Sequence, residues 1–159
     1  MRNFWMGWLG GGLLLSLAAG CGKAADAPAQ PAAWLTSLEK AQQESKTSGR
    51  PILALFTGSD WCPWCVRLEK EVLATAEFQE WAGKKVVLVK FDFLRKTQQP
   101  QEVKDANQAA RKKYPQVKGY PTILFLNEKG EVLGESGYEP GGAKAWMEKA
   151  DKLLPAAKK

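Results

Sequence analysis

The stretch Gly-Ser-Asp-Trp-Cys-Pro-Trp-Cys, residues 58–65, contains two of the three cysteines in a chain of 159 residues. It follows Ile-Leu-Ala-Leu-Phe, residues 52–56, a short apolar run typical of a strand that is covered on both faces. Gly58 to Asp60 are turn residues, and Pro63 suits the first turn of a helix, where a missing N–H costs nothing. The two cysteines are therefore expected at a corner where a strand leads into a helix.

The spacing of Cys62 and Cys65 suits reversible disulfide chemistry. One helical turn brings both sulfurs to the same side, within the Cα separation of roughly 5 to 6 Å that a disulfide prefers. Unpaired N–H groups at a helix start favour negative charge, so we expect Cys62 to form a thiolate readily. Cys62 is then the catalytic nucleophile, and Cys65 resolves the mixed disulfide by closing the intramolecular bond. A permanent structural disulfide and a pair of metal ligands are the alternative interpretations.

Histidine is absent from the whole chain, which excludes several kinds of chemistry. A Cys-His protease pair cannot form, a c-type haem lacks its histidine at Val66, and zinc lacks nitrogen ligands. Two thiols also fall short of a four-ligand metal site unless two chains share one. Thiol–disulfide exchange without a metal or other cofactor is the chemistry that remains, and we expect it in a monomer.

Basic side chains exceed acidic ones by 23 to 17, which is a mild excess. They are scattered in pairs such as Lys84-Lys85 and Lys112-Lys113, without the basic stripe interleaved with aromatic residues that indicates nucleic acid binding. A solvated surface or attraction to anionic lipid headgroups fits this pattern, and we expect no nucleic acid partner.

Residues 1–20 have the order of a secretory signal, with Arg2, an apolar stretch from Phe4 to Ala19 and then small residues. The stretch is shorter than the roughly 20 residues that span a bilayer, which disfavours a transmembrane helix. Ala-Ala-Gly-Cys at 18–21 resembles the bacterial lipobox, although its first residue departs from the usual leucine. The resemblance implies that Cys21 is acylated and becomes the N-terminus. Ordinary signal cleavage and an uncleaved anchor are the alternatives.

Residues 21–33 follow as a flexible linker rich in alanine and proline, without a large apolar side chain. Its first residue is the lipidated cysteine, and acyl chains give a stable anchor because they bury many methylenes. Gly22 stands where an aspartate signals inner-membrane retention in many Gram-negative bacteria, so the periplasmic side of the outer membrane is favoured. The remaining residues, 34–159, are expected to form one globular domain.

Helical and strand patterns alternate along this domain. Helices are predicted from Trp34 to Gly49, from about Pro63 to Gly83, at roughly 102–114 and at 143–154; strands are predicted at 52–56, 86–89, 123–126 and 132–136. The order α-β-α-β-α-β-β-α implies a central mixed β-sheet flanked by helices on both faces.

With Cys-X-X-Cys at the first strand-to-helix corner, this order resembles the thioredoxin fold over residues 34–159. The resemblance implies that Val-Lys-Gly-Tyr-Pro-Thr, residues 117–122, is the cis-proline loop opposite the dithiol. It also implies that Lys90 tunes the thiolate, a surface lysine at a strand end being the alternative. The buried carboxylate of thioredoxin has no counterpart, since residues 55–57 are Leu-Phe-Thr.

Five residues around the dithiol are predicted to bind substrate, through apolar contact with a client protein and pairing of the Tyr120 backbone with an extended segment. They are Trp61, Pro63, Trp64, Tyr120 and Pro121. For the two tryptophans, a role as ordinary surface aromatics is the alternative. The long segment 94–113 and Gly-Tyr-Glu-Pro-Gly-Gly at 137–142 resemble those of secreted bacterial thioredoxin-like proteins.

These features predict a thiol–disulfide oxidoreductase of the bacterial cell envelope, periplasmic and lipid-anchored, that exchanges disulfides with exported proteins. In an oxidising compartment it needs a membrane or periplasmic redox partner. The inner Pro-Trp pair of the motif differs from that of thioredoxin, so the direction of electron flow stays open. A disulfide oxidase or isomerase, or a non-catalytic module that grips extended peptides, are the alternative functions.

Overall fold

A computed structural model describes residues 33–155 and contains four strands and five α-helices in this range. The strands are β1 (Ile52–Thr57), β2 (Val87–Asp92), β3 (Thr122–Leu126) and β4 (Val132–Ser136). The helices are α1 (Leu38–Ser48), α2 (Pro63–Leu68), α3 (Ala76–Lys85), α4 (Gln101–Lys113) and α5 (Gly142–Leu153), with a π-helical segment, Glu69–Leu73, directly after α2. The predicted signal peptide, Cys21 and the linker up to residue 32 lie outside the described residues.

The strands form one mixed sheet in the order β2-β1-β3-β4. Strand β1 pairs in parallel with β2, from Ile52 opposite Val87 to Thr57 opposite Asp92, and antiparallel with β3. Strand β4 pairs antiparallel with β3 at the other edge. The predicted α/β class and the mixed sheet are therefore confirmed. Between residues 33 and 155, no helix combines the length and apolar character needed to cross a bilayer.

Every residue of β1 is buried, because helices cover both faces of the sheet. Leu53 and Leu55 face one apolar cluster, whereas Ile52, Ala54 and Phe56 face a second cluster on the opposite side. The first cluster includes side chains of α2, α3 and α5, and the second includes side chains of α1 and α4. Burying each of these large side chains contributes roughly 1.5–3 kcal/mol, so the two cores hold the carboxyl end of β1 firmly in place.

The prediction of a single helix from about Pro63 to Gly83 is wrong, because the helix is interrupted at Ala74 and Thr75. The Thr75 hydroxyl donates to the Val72 carbonyl at 2.7 Å and accepts from the Phe78 N–H at 3.3 Å, which ends one helical segment and caps the next. Apolar periodicity alone did not reveal this cap. Helix α3 then continues to Lys85, past the glycine that was expected to end it.

The first helix begins at Leu38 rather than at Trp34, because Ser37 caps it by accepting from the Lys40 N–H at 3.4 Å. Leu35 instead lies extended beside β2, where its N–H donates to the Leu88 carbonyl at 2.9 Å. This short bridge adds backbone pairing to the edge of the sheet. Its partners in β2 lie more than 50 residues further along the chain, and no local pattern indicates them.

Candidate active site

Cys62 and Cys65 lie where β1 leads into α2, as the motif predicted. Cys62 is the N-cap residue of α2, with extended backbone dihedrals, and its sulfur accepts a hydrogen bond from the Cys65 N–H at 3.3 Å. Both thiols are free and both residues are buried, with exposures of 4% and 3%. The helix start thus places a backbone donor on the first sulfur while the second lies one turn further in.

Cys65 is surrounded by protein on the inner side of the motif. Burial raises the pKa of its thiol to about 11, and the hydrogen bond to Cys62 acts in the same direction. The Thr57 hydroxyl and the Gly58 N–H, which lies 3.4 Å from the sulfur, oppose this shift without cancelling it. Cys65 is therefore protonated at neutral pH, as a resolving thiol must be while its neighbour reacts.

The loop before β3 lies against the dithiol. The Tyr120-Pro121 peptide bond is cis, which confirms that prediction, and the Cys62 thiol donates to the Tyr120 carbonyl at 3.5 Å. The Thr122 hydroxyl donates to the Gly119 carbonyl at 2.8 Å and closes the loop on itself. Because Pro121 has no N–H, the Tyr120-Pro121 bond presents the Tyr120 carbonyl as an acceptor but no amide donor to the sulfurs.

Trp61 is fixed by contacts on several sides. Its indole N–H donates to the Phe93 carbonyl at 2.8 Å, and its ring meets the Tyr120 ring edge to face at 5.9 Å. Gly58 makes room for it, because a Cβ built there would lie 2.4 Å from the indole nitrogen. Trp61 thus holds the cis-proline loop beside the motif, and its predicted contact with substrate stays a prediction.

Trp64 has the opposite character, with 54% of its surface exposed. Its ring stacks on Tyr138 at a centroid distance of 5.5 Å. The two rings border a cleft of about 550 Å³, whose lining comes from α2, the cis-proline loop and the segment before α5. The lining residues are Trp64, Arg67, Tyr120, Pro121, Gly137, Tyr138 and Pro140. Three of the predicted substrate-binding residues meet here, whereas Pro63 is exposed in the first turn of α2.

Polar contacts below the cleft fix the position of Tyr138. Its hydroxyl donates to Glu71 at 2.7 Å, and Glu71 also forms an ion pair with Arg67 at 3.0 Å. The Tyr138 hydrogen bond, followed by the Arg67 hydrogen bond, lowers the pKa of Glu71 below its ordinary value. Sequence reasoning missed these three residues, although the Arg67–Glu71 spacing and the segment 137–142 were available as signals.

Lys90 lies inside β2 rather than at a strand end. Its ammonium is 3.4 Å from a carboxylate oxygen of Glu69 and 5.0 Å from the centre of the Trp34 ring. These contacts give the charge a carboxylate partner on the π-helical segment. A role for Lys90 in tuning the thiolate remains a prediction.

Asp60, which was assigned only to a turn, organises the start of the long segment after β2. Its carboxylate accepts from the N–H groups of Arg95, Lys96 and Thr97 at 3.1, 2.7 and 2.8 Å. Desolvation opposes these bonds, but their sum lowers the pKa of the Asp60 carboxyl below its ordinary value. The loop therefore lies beside the dithiol motif, a placement that no local signal in the sequence revealed.

A free dithiol at a helix start, facing a cis-proline loop at the end of a mixed sheet, defines a thiol–disulfide oxidoreductase with the thioredoxin fold. Residues 38–151 match the family model of the thioredoxin-like domain, and the chain belongs to that family. Its predicted fold, family and oxidoreductase activity are thereby confirmed.

Similar proteins agree with this assignment. The disulfide bond reductase DsbH of Chlamydia pneumoniae is 37% identical over 118 residues, which make up 74% of this chain and 70% of that protein. A solved structure of a DsbH oxidoreductase has a TM-score of 0.73 at 34% identity, covering 84% of this chain and 91% of the other. A thioredoxin from Thermus thermophilus shares the fold, with a TM-score of 0.57 at 18% identity and coverage of 78% and 88%.

Proposed function

We propose that this thiol–disulfide oxidoreductase works as a reductase in the bacterial cell envelope. The observation that carries the direction is the set of groups around the two sulfurs. Within residues 33–155, Cys62 contacts one N–H and one carbonyl, and no lysine or arginine donates a hydrogen bond to either sulfur. Strong oxidants of this fold are oxidising because their reduced form is stabilised. A dithiol without cationic donors lacks one source of that stabilisation and therefore gives up its electrons more readily.

The reaction proceeds in two balanced exchanges. Cys62, as the thiolate, attacks one sulfur of a client disulfide, forms a mixed disulfide and releases the other client sulfur as a thiolate. Cys65 then loses its proton and attacks Cys62, which breaks the mixed disulfide and frees the second client thiol. The client gains two electrons and two protons, and the Cys62–Cys65 disulfide that remains is returned to the dithiol by a membrane or periplasmic reductant.

A measurement of redox state tests the direction. In intact cells, alkylation of free thiols is expected to find Cys62 and Cys65 mainly as the dithiol. In the purified protein, the reduction potential of the Cys62–Cys65 disulfide is expected to be nearer about −270 mV than −120 mV. A fully oxidised pair in cells, together with a reduction potential near about −120 mV, would instead identify the protein as an oxidase. The similarity to a protein named disulfide bond reductase supports the first outcome.

We place the protein on the membrane through Cys21, with residues 21–33 as a tether for the domain. This placement rests on the signal-like order of residues 1–20 and on the lipobox that ends at Cys21. A tethered monomer would meet exported clients on the periplasmic side, with the outer membrane favoured by Gly22.

The cleft is proposed as the binding site for the client segment that follows or precedes the reacting cysteine. It begins at Tyr120 and Pro121, beside Cys62, and extends to the stacked rings of Trp64 and Tyr138. An exposed Trp64 ring stacked on a half-buried Tyr138 favours an extended segment with an apolar side chain. The Glu71 contacts keep Tyr138 in place, so the cleft exists before the client arrives.

Replacing Trp64 with alanine is expected to raise the KM for a peptide disulfide by about 2- to 12-fold, since lost aromatic contact costs roughly 0.5–1.5 kcal/mol. The rate with a small uncharged disulfide should stay unchanged, because it does not reach the stacked rings. Val66→Ala is the matched control, since Val66 is a 50% exposed apolar residue of α2 outside the cleft. An equal KM for both variants would contradict the cleft as the binding site.

A further inference from the structure

Three aromatic rings lie together beside the dithiol, and we call them the aromatic triad; one of them, Tyr120, also lines the cleft. Trp61 meets Tyr120 at a ring distance of 5.9 Å, and Tyr120 meets Phe93 at 5.1 Å. The triad is next to the reacting sulfur, because Trp61 precedes Cys62 in the chain and the Tyr120 carbonyl accepts from its thiol. Any partner that presents a disulfide to Cys62 also meets the groups around the triad.

Two arginines cover the triad. The Arg95 guanidinium lies 3.5 Å from the centre of the Trp61 ring, and the Arg111 guanidinium lies 5.7 Å from the Tyr120 ring and 6.0 Å from the Phe93 ring. Both arginines are exposed. Among residues 33–155, neither forms an ion pair with an acidic side chain. A guanidinium held over an aromatic ring keeps N–H donors at its edge for a carboxylate.

The acidic residues on this side of the site already have partners. Asp60 accepts from the N–H groups of residues 95–97, and Asp92 accepts from the Ser59 N–H at 3.0 Å and the Ser59 hydroxyl at 2.6 Å. On the cleft side the arrangement differs, because Arg67 is paired with Glu71. Among residues 33–155, Arg95 and Arg111 therefore have no carboxylate partner, whereas Arg67 has one.

Both arginines are also held in place before a partner binds. The Asp60 hydrogen bonds fix the backbone at Arg95, and Arg111 projects from the last turn of α4, where two further lysines follow it. Preorganised donors lose less entropy on binding than mobile ones.

We propose that Arg95 and Arg111 form a carboxylate-recognition site, which selects protein partners with acidic residues close to the reacting cysteine. The proposal rests on the proposed disulfide exchange and specifies which proteins that exchange favours. A protein partner fits better than an anionic lipid surface, because the arginines flank Cys62 and a membrane lying on them would cover the dithiol. The contact with Trp61 also places the carboxylate of the partner within reach of the motif.

Three peptide disulfides that differ only in the residues flanking one cysteine test the site. The flanking residues are aspartates, asparagines or lysines, and kcat/KM is measured with the purified protein at low salt and at about 0.5 M NaCl. We expect kcat/KM for the aspartate peptide to exceed that for the asparagine peptide about 3- to 10-fold at low salt. The preference should shrink at high salt, because screening shortens the Debye length to a few ångströms.

The double variant Arg95→Gln/Arg111→Gln is expected to bring the ratio of these two kcat/KM values close to 1. Lys46→Gln/Lys129→Gln is the matched control: it removes two exposed charges at the end of the sheet away from the dithiol and should keep the ratio. Because both peptides are measured on the same variant, partial unfolding lowers both values and leaves their ratio interpretable.

Each other outcome has a defined meaning. A wild-type ratio near 1, or a preference that survives in the arginine variant, would overturn the carboxylate-recognition site. Arginine-dependent binding to vesicles of anionic lipid, without a peptide preference, would also overturn it and assign the patch to the membrane. No turnover of any peptide would refute the proposed exchange itself, which distinguishes that failure from failure of the recognition site.

Discussion

Replacing Cys62 with serine is expected to reduce the reduction of protein disulfides to the uncatalysed background, a loss on the order of 1000-fold or more. Of the two cysteines in residues 33–155, Cys62 is placed to begin the exchange, because its position at the start of α2 gives it the Cys65 N–H and the cis-proline loop as neighbours. Insulin reduction, followed by precipitation of the freed chain, measures the effect with dithiothreitol as the electron source.

Cys65 cannot replace the missing nucleophile in this variant. Burial is the largest of the causes that raise the pKa of its thiol to about 11, so it is protonated at neutral pH. A serine hydroxyl at position 62 can still accept the Cys65 N–H, so the fold should be retained, and an unchanged circular dichroism spectrum verifies this. Wild-type turnover by Cys62→Ser would exclude the dithiol as the catalytic centre.

The features that the sequence revealed are those with short-range causes. The dithiol corner follows from an apolar run, turn residues and Pro63, all within 15 residues. The cis bond at Tyr120-Pro121 became visible only through the family resemblance, because most X-Pro bonds are trans. Composition, motif spacing and resemblance thus predicted the fold class and the centre of the site.

The features that the sequence did not reveal depend on distant partners. Asp60 binds backbone groups 35 to 37 residues away, and Tyr138 reaches Glu71 across 67 residues. The extended conformation at Leu35 depends on pairing with β2. The break at Thr75 does have a local cause, and it was missed because a capping threonine between two apolar patterns looks like a surface position of one helix.

Replacing Cys65 with serine is expected to stop the exchange halfway and to accumulate mixed disulfides between Cys62 and client proteins. Without the resolving thiol, release depends on slow disulfide rearrangement, which takes minutes to hours. Adducts should be visible on non-reducing gels, and mass spectrometry of the trapped peptides identifies the clients. The double variant Cys62→Ser/Cys65→Ser is the control and should form none.

In the wild-type protein the same step should depend on pH, because Cys65 must lose its proton before it attacks. In the free dithiol, burial is the largest cause that raises its pKa to about 11, and we expect burial to keep the pKa of Cys65 above neutral in the mixed disulfide. Below the pKa of a thiol its thiolate fraction grows about tenfold per pH unit, so adduct decay measured by rapid quench should accelerate as the pH rises from about 7 to 9. Decay that is independent of pH in this range, or a Cys65→Ser variant that forms no adducts, would contradict Cys65 as the resolving thiol.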